Sequence, residues 1–366
     1  MDHPSQPGEL MGTGHTVAVF GANGHTGRFV VAELRERGLV PLLAGRDAGK
    51  LEALAAIHPG LEFRPASADD PDSLHRALGG AAGVINCAGP FAATAAPLIE
   101  AALSATIPYV DVSAEIEAIV DTFTQFADRA RAAGTAVVPA MAFFGGLGDL
   151  LATTAMGDWA AADEVHIAYG LSNWHPTAGT RAAGRVSRAR RNGQRVRYSG
   201  GRLEYLDGEL PTLDWPFPPP MGIRPVIGEF TMADVATIPS HLSVPEVRTY
   251  MAAGAARDVA DPDTSGPTPV DERGRSDQAF LVDVVVRSGG TRRRAVASGQ
   301  DIYAITAPLA VEAIHRILTG QTRTAGVASA GAIFDAPDFL RALSAHLTLA
   351  TAPPIPAEVP SMPFPG

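Results

Sequence analysis

The stretch VAVFGANGHTGRFV, residues 17–30, breaks an apolar run into glycines spaced G-x-x-G-x-x-G. A buried strand that ends this way and re-enters a helix aims backbone N–H groups at the space above the turn. Phosphate is what such donors hold. Gly21 permits the tight turn, Gly24 admits a phosphate close to the backbone, and Gly27 lets the helix pack near the strand. Asn23, His25 and Thr26 fill the positions between them.

The end of the second apolar run, Leu43-Ala44-Gly45-Arg46, narrows the ligand. In dinucleotide-binding folds an acidic residue here takes the ribose hydroxyls of NAD, and a basic one accommodates the 2′-phosphate of NADP. Arg46 offers a planar fork for a phosphate. Lys50, one turn further, adds a second charge, while Asp47 is better used as a helix cap. NADP(H) is therefore the expected cofactor. Ser67 closes the third run, and Asn86-Cys87-Ala88-Gly89-Pro90 ends the fourth, on the sheet edge where ligands sit. Cys87 has no basic neighbour in sequence and is expected to pack rather than attack.

Hydride transfer is the cofactor's own reaction, so the protein must orient a substrate and supply a proton. No tyrosine is followed four residues later by lysine, and Lys50, the one lysine, sits at the adenine end. With one cysteine, no H-E-x-x-H and no close histidine pair, no metal site is expected. His175, Tyr303 and His241 remain as candidate proton donors; each has a plain alternative as a loop or core residue. The turn Ala178-Gly179-Thr180-Arg181 enters a helix and can hold a polar substrate group. The arginines from 181 to 197 read either as a solvated helix and hairpin edge or as an anion site led by Arg181 and Arg185.

These residues need elements to hold them. The first ~145 residues alternate strand and helix with short connections, which is a parallel sheet pattern. Residues 146–299 change rhythm. EVHIAYGL reads as a strand, and hairpins turn at Gly200-Gly201 and Gly289-Gly290. The proline-rich LPTLDWPFPPPMGIRP between them reads as an ordered loop or lid. A long helix follows from 301, and the tail 347–366 reads as coreless, either disordered or laid across a neighbouring surface.

Length 366 suits two domains, and 46% apolar content suits a sizeable core. The net charge of −10 argues against nucleic acid. No apolar run is long enough for a membrane helix, and no export signal is visible, so the cytoplasm is expected.

The segments GANGHTGRFV, LLAGRDAGKLEAL, INCAGPF, PYVDVSAE and AGTAVVPAMAF, in this order, resemble the NADP-binding domain of the saccharopine dehydrogenase-like oxidoreductases. WHPTAGTR, IPSHLSVPEVRTYM and GQDIYAITAPLAVEAI continue the likeness. The resemblance implies a Rossmann doubly wound parallel sheet, an inserted domain, and a C-terminal helical return onto the first domain. With the residue pattern it sets the expected fold: α/β, with an inserted α+β domain built on an antiparallel sheet. The expected domains are 14–145 plus 300–346 for the dinucleotide and 146–299 for substrate and dimerisation. The family includes amino-acid-forming dehydrogenases and trans-acting enoyl reductases, and its members are commonly dimers. The function expected is an NADP-dependent reductase acting on a C=C, C=N or C=O bond of a small or carrier-bound substrate in biosynthesis, as a homodimer. The alternative is a non-catalytic NADP-binding sensor or accessory protein of a biosynthetic complex.

Overall fold

The structure is a computed structural model that describes residues 14–356. Strands β1 (Thr16–Phe20), β2 (Val40–Gly45), β3 (Phe63–Pro65), β4 (Gly83–Asn86), β5 (Tyr109–Asp111) and β6 (Ala136–Val138) alternate with helices. The helices are α1 (His25–Glu36), α2 (Ala48–Ile57), α3 (Pro71–Leu78), α4 (Phe91–Ser104) and α5 (Ile116–Ala132). Local chemistry sets several boundaries. Asp47 and Asp70 accept the N–H groups of Lys50 and Ser73, and Pro71 takes the first turn of α3. Gly134, with φ of +63°, closes α5.

The sheet is parallel throughout, in the order β15-β6-β5-β4-β1-β2-β3, its last strand β15 being Gly326–Val327. The strand order reverses between β1 and β4, so the loops leaving these neighbours part and open a crevice.

After α6 (Gly148–Met156) the chain builds a second sheet. It comprises β7 (Glu164–Leu171), β8 (Arg195–Ser199), β9 (Arg202–Leu206), β10 (Thr212–Pro216), β11 (Ile223–Gly228), β12 (Glu246–Ala252), β13 (Ala279–Ser288) and β14 (Thr291–Gln300). Helix α7 (Ala178–Arg190) follows β7, and α8 (Asp234–Thr237) and α9 (Ala253–Ala260) flank β12. Helix α10 (Ile302–Leu318) then packs on α1. Both expected glycine-pair hairpins form, with positive φ at Gly200, Gly201, Gly289 and Gly290 as the twist of a two-residue turn requires.

Two expectations need correction, and a third is decided between its alternatives. The second sheet is mixed, because β7 and β12 run parallel. The long excursion through α7 and two hairpins between them supplies the crossover that parallel pairing needs. The proline-rich stretch is the hairpin β10–β11, not a loop or lid. Its alternation is real: Trp215 and Val226 point inward, while Pro216 and Pro225 fall on the exposed phase. This hairpin curls across the sheet, where the Trp215 indole N–H donates to Asp283 Oδ2 on β13 at 2.8 Å. The hairpin thereby covers one face of the sheet with the chain's own residues.

Third, of the two courses expected for the tail, Thr348–Pro356 takes the second: it lies along the sheet edge as strand β16, antiparallel to β14, where proline is tolerated. The rest of the tail, and residues 1–13, lie outside the described residues. The short helices α11 (Ala330–Ile333) and α12 (Ala336–Ala342) pack on α6.

Candidate active site

The crevice at the switch of strand order opens into a cleft of about 920 Å³ between the first sheet and the second. Of the residues expected to bind cofactor, Gly21, Asn23, Gly24, His25, Thr26, Arg46, Lys50, Cys87, Ala88 and Gly89 line it. The turn is tight by necessity. Gly21 has φ of +86°, and a Cβ there would sit 2.9 Å from the Ala88 nitrogen. A Cβ on Gly27 would lie 2.2 Å from the Gly21 oxygen, so this glycine serves packing rather than contact.

Gly27, Ser67, Asn86 and Pro90 are not among the lining residues. Asn86 is buried and braces the second loop: its Oδ1 accepts the Ala88 N–H at 3.0 Å, and its amide donates to Thr94 and Tyr109. The Ser67 hydroxyl accepts the Asp69 N–H, inside its own turn. Burial, and then the Asp111 carboxylate, push the Cys87 thiol far up, which keeps it protonated and unreactive.

A dinucleotide fits these residues. Helix α1 starts at Gly24 with no side-chain cap, leaving its first-turn N–H groups for an anion. The His25 Nε2 atom is buried without a hydrogen-bond partner. Burial lowers the His25 pKa, with Asp301 pulling the other way. At the far end Arg46 is exposed and makes no ion pair with a described residue, whereas Lys50 pairs with Asp47 at 2.9 Å.

Tyr303, on the first turn of α10, also lines the cleft. Asp301 sets its position. The Asp301 Oδ1 accepts the N–H groups of Tyr303 and Ala304, while its Oδ2 accepts both the N–H and hydroxyl of Ser276. The residue is fully buried and holds φ of +59°, a conformation that this network maintains. The Tyr303 oxygen accepts the Trp174 indole N–H and the Thr177 N–H, both at 3.3 Å. Those two donors occupy its lone pairs, which leaves its proton between two acceptors, Thr180 Oγ1 at 3.0 Å and the His175 carbonyl at 3.4 Å. Thr180 in turn meets Thr177 Oγ1 at 2.9 Å. Burial raises the phenol above its ordinary value.

The other two candidate donors lie off the cleft lining. His175 sits beside it in a loop and donates from Nδ1 to the Ser265 carbonyl at 3.1 Å. His241 binds the buried Asp149 carboxylate at 2.6 Å. Burial would lower the His241 pKa, but Asp149 overrides it and raises the net value.

Thr180 lines the cleft, but Arg181 and Arg185 do not. Arg181 donates to the carbonyls of Asp261 and Thr264, and Arg185 is exposed. Arg190, Arg191, Arg195 and Arg197 form ion pairs with Asp121, Glu117, Glu229 and Glu204, the pattern of a salt-bridged face.

Sequence reasoning missed Glu115 and the aromatic wall. Glu115 accepts the Phe91 and Ala92 N–H groups at 2.6 and 3.1 Å, capping α4 from the next loop. Burial raises its pKa and those amides pull it back. Phe143, Phe144, Trp174, Phe230 and Met232 form the wall. The adjacent pair Phe143-Phe144 before two glycines was its one local signal. Among the described residues, no cluster of histidine, cysteine or acidic side chains is placed to hold a metal, and no helix is long and apolar enough to cross a membrane.

Comparison with known proteins agrees with this geometry. Residues 17–138 match the family model described as saccharopine dehydrogenase NADP binding domain, so NADP(H) is the cofactor of the first domain. A probable mitochondrial saccharopine dehydrogenase-like oxidoreductase of Arabidopsis thaliana is 31% identical over 144 residues, 35% of this chain and 32% of that protein. The match thus spans about a third of that relative's length. An apo saccharopine dehydrogenase (L-Glu forming) from Saccharomyces cerevisiae superposes with a TM-score of 0.64 at 12% identity, covering 93% of this chain and 100% of that one. That likeness establishes the shared two-sheet fold.

Proposed function

We propose that this protein is an NADPH-dependent reductase of an organic substrate, with residues 14–145 and 300–346 holding the cofactor and 146–299 forming the substrate side. The observation that carries this reading is Tyr303. A phenol with both lone pairs filled by N–H donors stands in the cleft beside the glycine turn, its hydroxyl within hydrogen-bond reach of Thr180 and of the His175 carbonyl.

The reduced dinucleotide, when bound, supplies the hydride. The substrate's polarised double bond gains that hydride at its electrophilic carbon and a proton at the other atom. Tyr303 gives the proton, and a proton returns to the phenolate from solvent through the part-exposed Thr177 and Thr180 hydroxyls. The aromatic wall excludes water from the reacting end.

We assign the reaction to biosynthetic metabolism in the reducing cytoplasm, where the lone Cys87 stays a thiol. We also retain a homodimer through the second domain. Its surface would be the outside of β10–β11, because the hairpin already covers the sheet face.

Crystals grown with NADP test the reading, alongside NADPH consumption with a substrate panel. The expected result is a nicotinamide between Gly89 and the aromatic wall, with space for a substrate against Tyr303. A nicotinamide sealed on every side by protein, with no consumption of NADPH, would leave the non-catalytic sensor instead.

A further inference from the structure

The two ends of the cleft differ in chemistry. One end carries Arg46, Asp47 and Lys50, all exposed. The other is the wall of rings. Phe143 and Phe144 meet at 4.8 Å, Phe144 and Trp174 at 5.0 Å, and Trp174 and Phe230 at 6.5 Å. Trp174 is anchored twice: its backbone N–H donates to Asp258 at 2.9 Å and its indole N–H to Tyr303. A ring fixed this way is a rigid stacking surface.

Apart from Arg46, Asp47 and Lys50, the carboxylates and guanidinium or ammonium groups among the lining residues are Glu115 and Arg191, and both are engaged. Glu115 spends both oxygens on the start of α4. Arg191 donates to Ser187 and the Gln194 carbonyl at 2.6 Å and pairs with Glu117. Arg181 and Arg185, the anion anchors expected from sequence, are elsewhere. A charged substrate against this wall would lose its hydration with no free counter-charge in return. A neutral hydrocarbon body gains about 25 cal/mol for each Å² it buries there.

Resting on the reductase reading, we propose that the site takes a neutral, apolar molecule with one carbonyl-type acceptor and rejects amino acids, 2-oxo acids and other charged compounds. Trp174 and Phe230 grip the hydrocarbon body. The Tyr303 and Thr180 hydroxyls hold the acceptor.

The test is calorimetry on the full chain saturated with NADP⁺, so that binding is read without reduction. The probes are benzylideneacetone, cinnamate and phenylalanine, which share a phenyl-bearing skeleton and differ in charge. The ketone is expected to bind at least ~10-fold tighter than either charged probe. Phe230→Ala should weaken ketone binding roughly fivefold or more, and Phe230→Leu by less. Equal or tighter binding of cinnamate or phenylalanine overturns the proposal. So does no binding of the ketone, or an undisturbed affinity in Phe230→Ala. The reductase reading fails separately: no NADPH consumption with any compound defeats that reading and leaves the binding preference standing. Consumption with anionic substrates keeps the reductase and defeats the preference.

Discussion

The His25 and Tyr303 rings meet edge to face, 5.2 Å between centroids and 89° between planes. One belongs to the glycine turn after β1 and the other to the first turn of α10, so the cofactor loop and the candidate proton donor share a wall. Phe29, one turn along α1, completes the cluster against His25 at 5.3 Å.

Tyr303→Phe should keep that ring contact and lose the proton. Turnover is expected to fall ~10²–10⁴-fold with NADPH affinity intact. The group works while protonated, and burial raises its pKa above the usual 10.0. In the parent protein the loss of turnover on the alkaline side should therefore begin only above that value. His175→Ala, whose imidazole is tied to Ser265, should change turnover little. Steady-state kinetics on both variants decide the assignment, and a fully active Tyr303→Phe would refute it.

Arg46 and Lys50 differ in freedom: Lys50 is paired with Asp47 and Arg46 is not paired with a described residue. NADPH should bind at least about tenfold tighter than NADH, and Arg46→Ala should erase most of that preference while sparing NADH. Lys50→Ala should cost less. Equal affinities of the parent for the two cofactors, measured by titration calorimetry, would remove the assignment.

Asp234 is fully buried against the Tyr169 hydroxyl, which lies 2.9 Å from both carboxylate oxygens. Burial pushes its pKa up to about 7, against 3.8 for the ordinary group, with the Tyr169 hydrogen bond pulling down. The folded state therefore keeps a proton that the unfolded chain releases near pH 4. Its contribution to stability falls as pH rises from about 4 to about 7, with a limiting slope of ~1.4 kcal/mol per pH unit, and is flat above. Asp234→Asn retains an acceptor for Tyr169 and removes the titration. Its stability relative to the parent should climb across that window in urea unfolding. Parallel pH profiles for the two proteins would contradict this.

Trp215 is 5% exposed and ties β10 to β13 through Asp283. Trp215→Ala should cost ~3–5 kcal/mol in thermal or urea unfolding by emptying the space under the hairpin. NADPH affinity should survive, since Trp215 is not among the residues that line the cleft. Light scattering on the same variant reports on assembly: a parent that is monomeric at micromolar concentration and above would exclude the homodimer.

The amino-acid order by itself determined what depends on near neighbours. Glycine spacing and apolar runs set the turn after β1 and the alternation through β6. Gly-Gly pairs within period-two patterns set both hairpins, and Asp followed by an apolar periodic run marked the cap at Asp47. Each is a contact or dihedral preference within a few residues, which local sequence expresses directly.

Only the tertiary structure decided what depends on distant partners. Tyr303 meets Trp174 across 129 residues, and Trp215 reaches Asp283 across 68. The arginines at the end of α7 and on β8 find carboxylates on α5 and near β11, so a stripe legible as an anion site becomes a set of ion pairs. Burial, and with it the proton affinity of Tyr303 and Asp234, exists only once those segments are packed. No period or spacing along the chain carries it, because desolvation is set by what folds over a residue, not by what stands beside it in sequence.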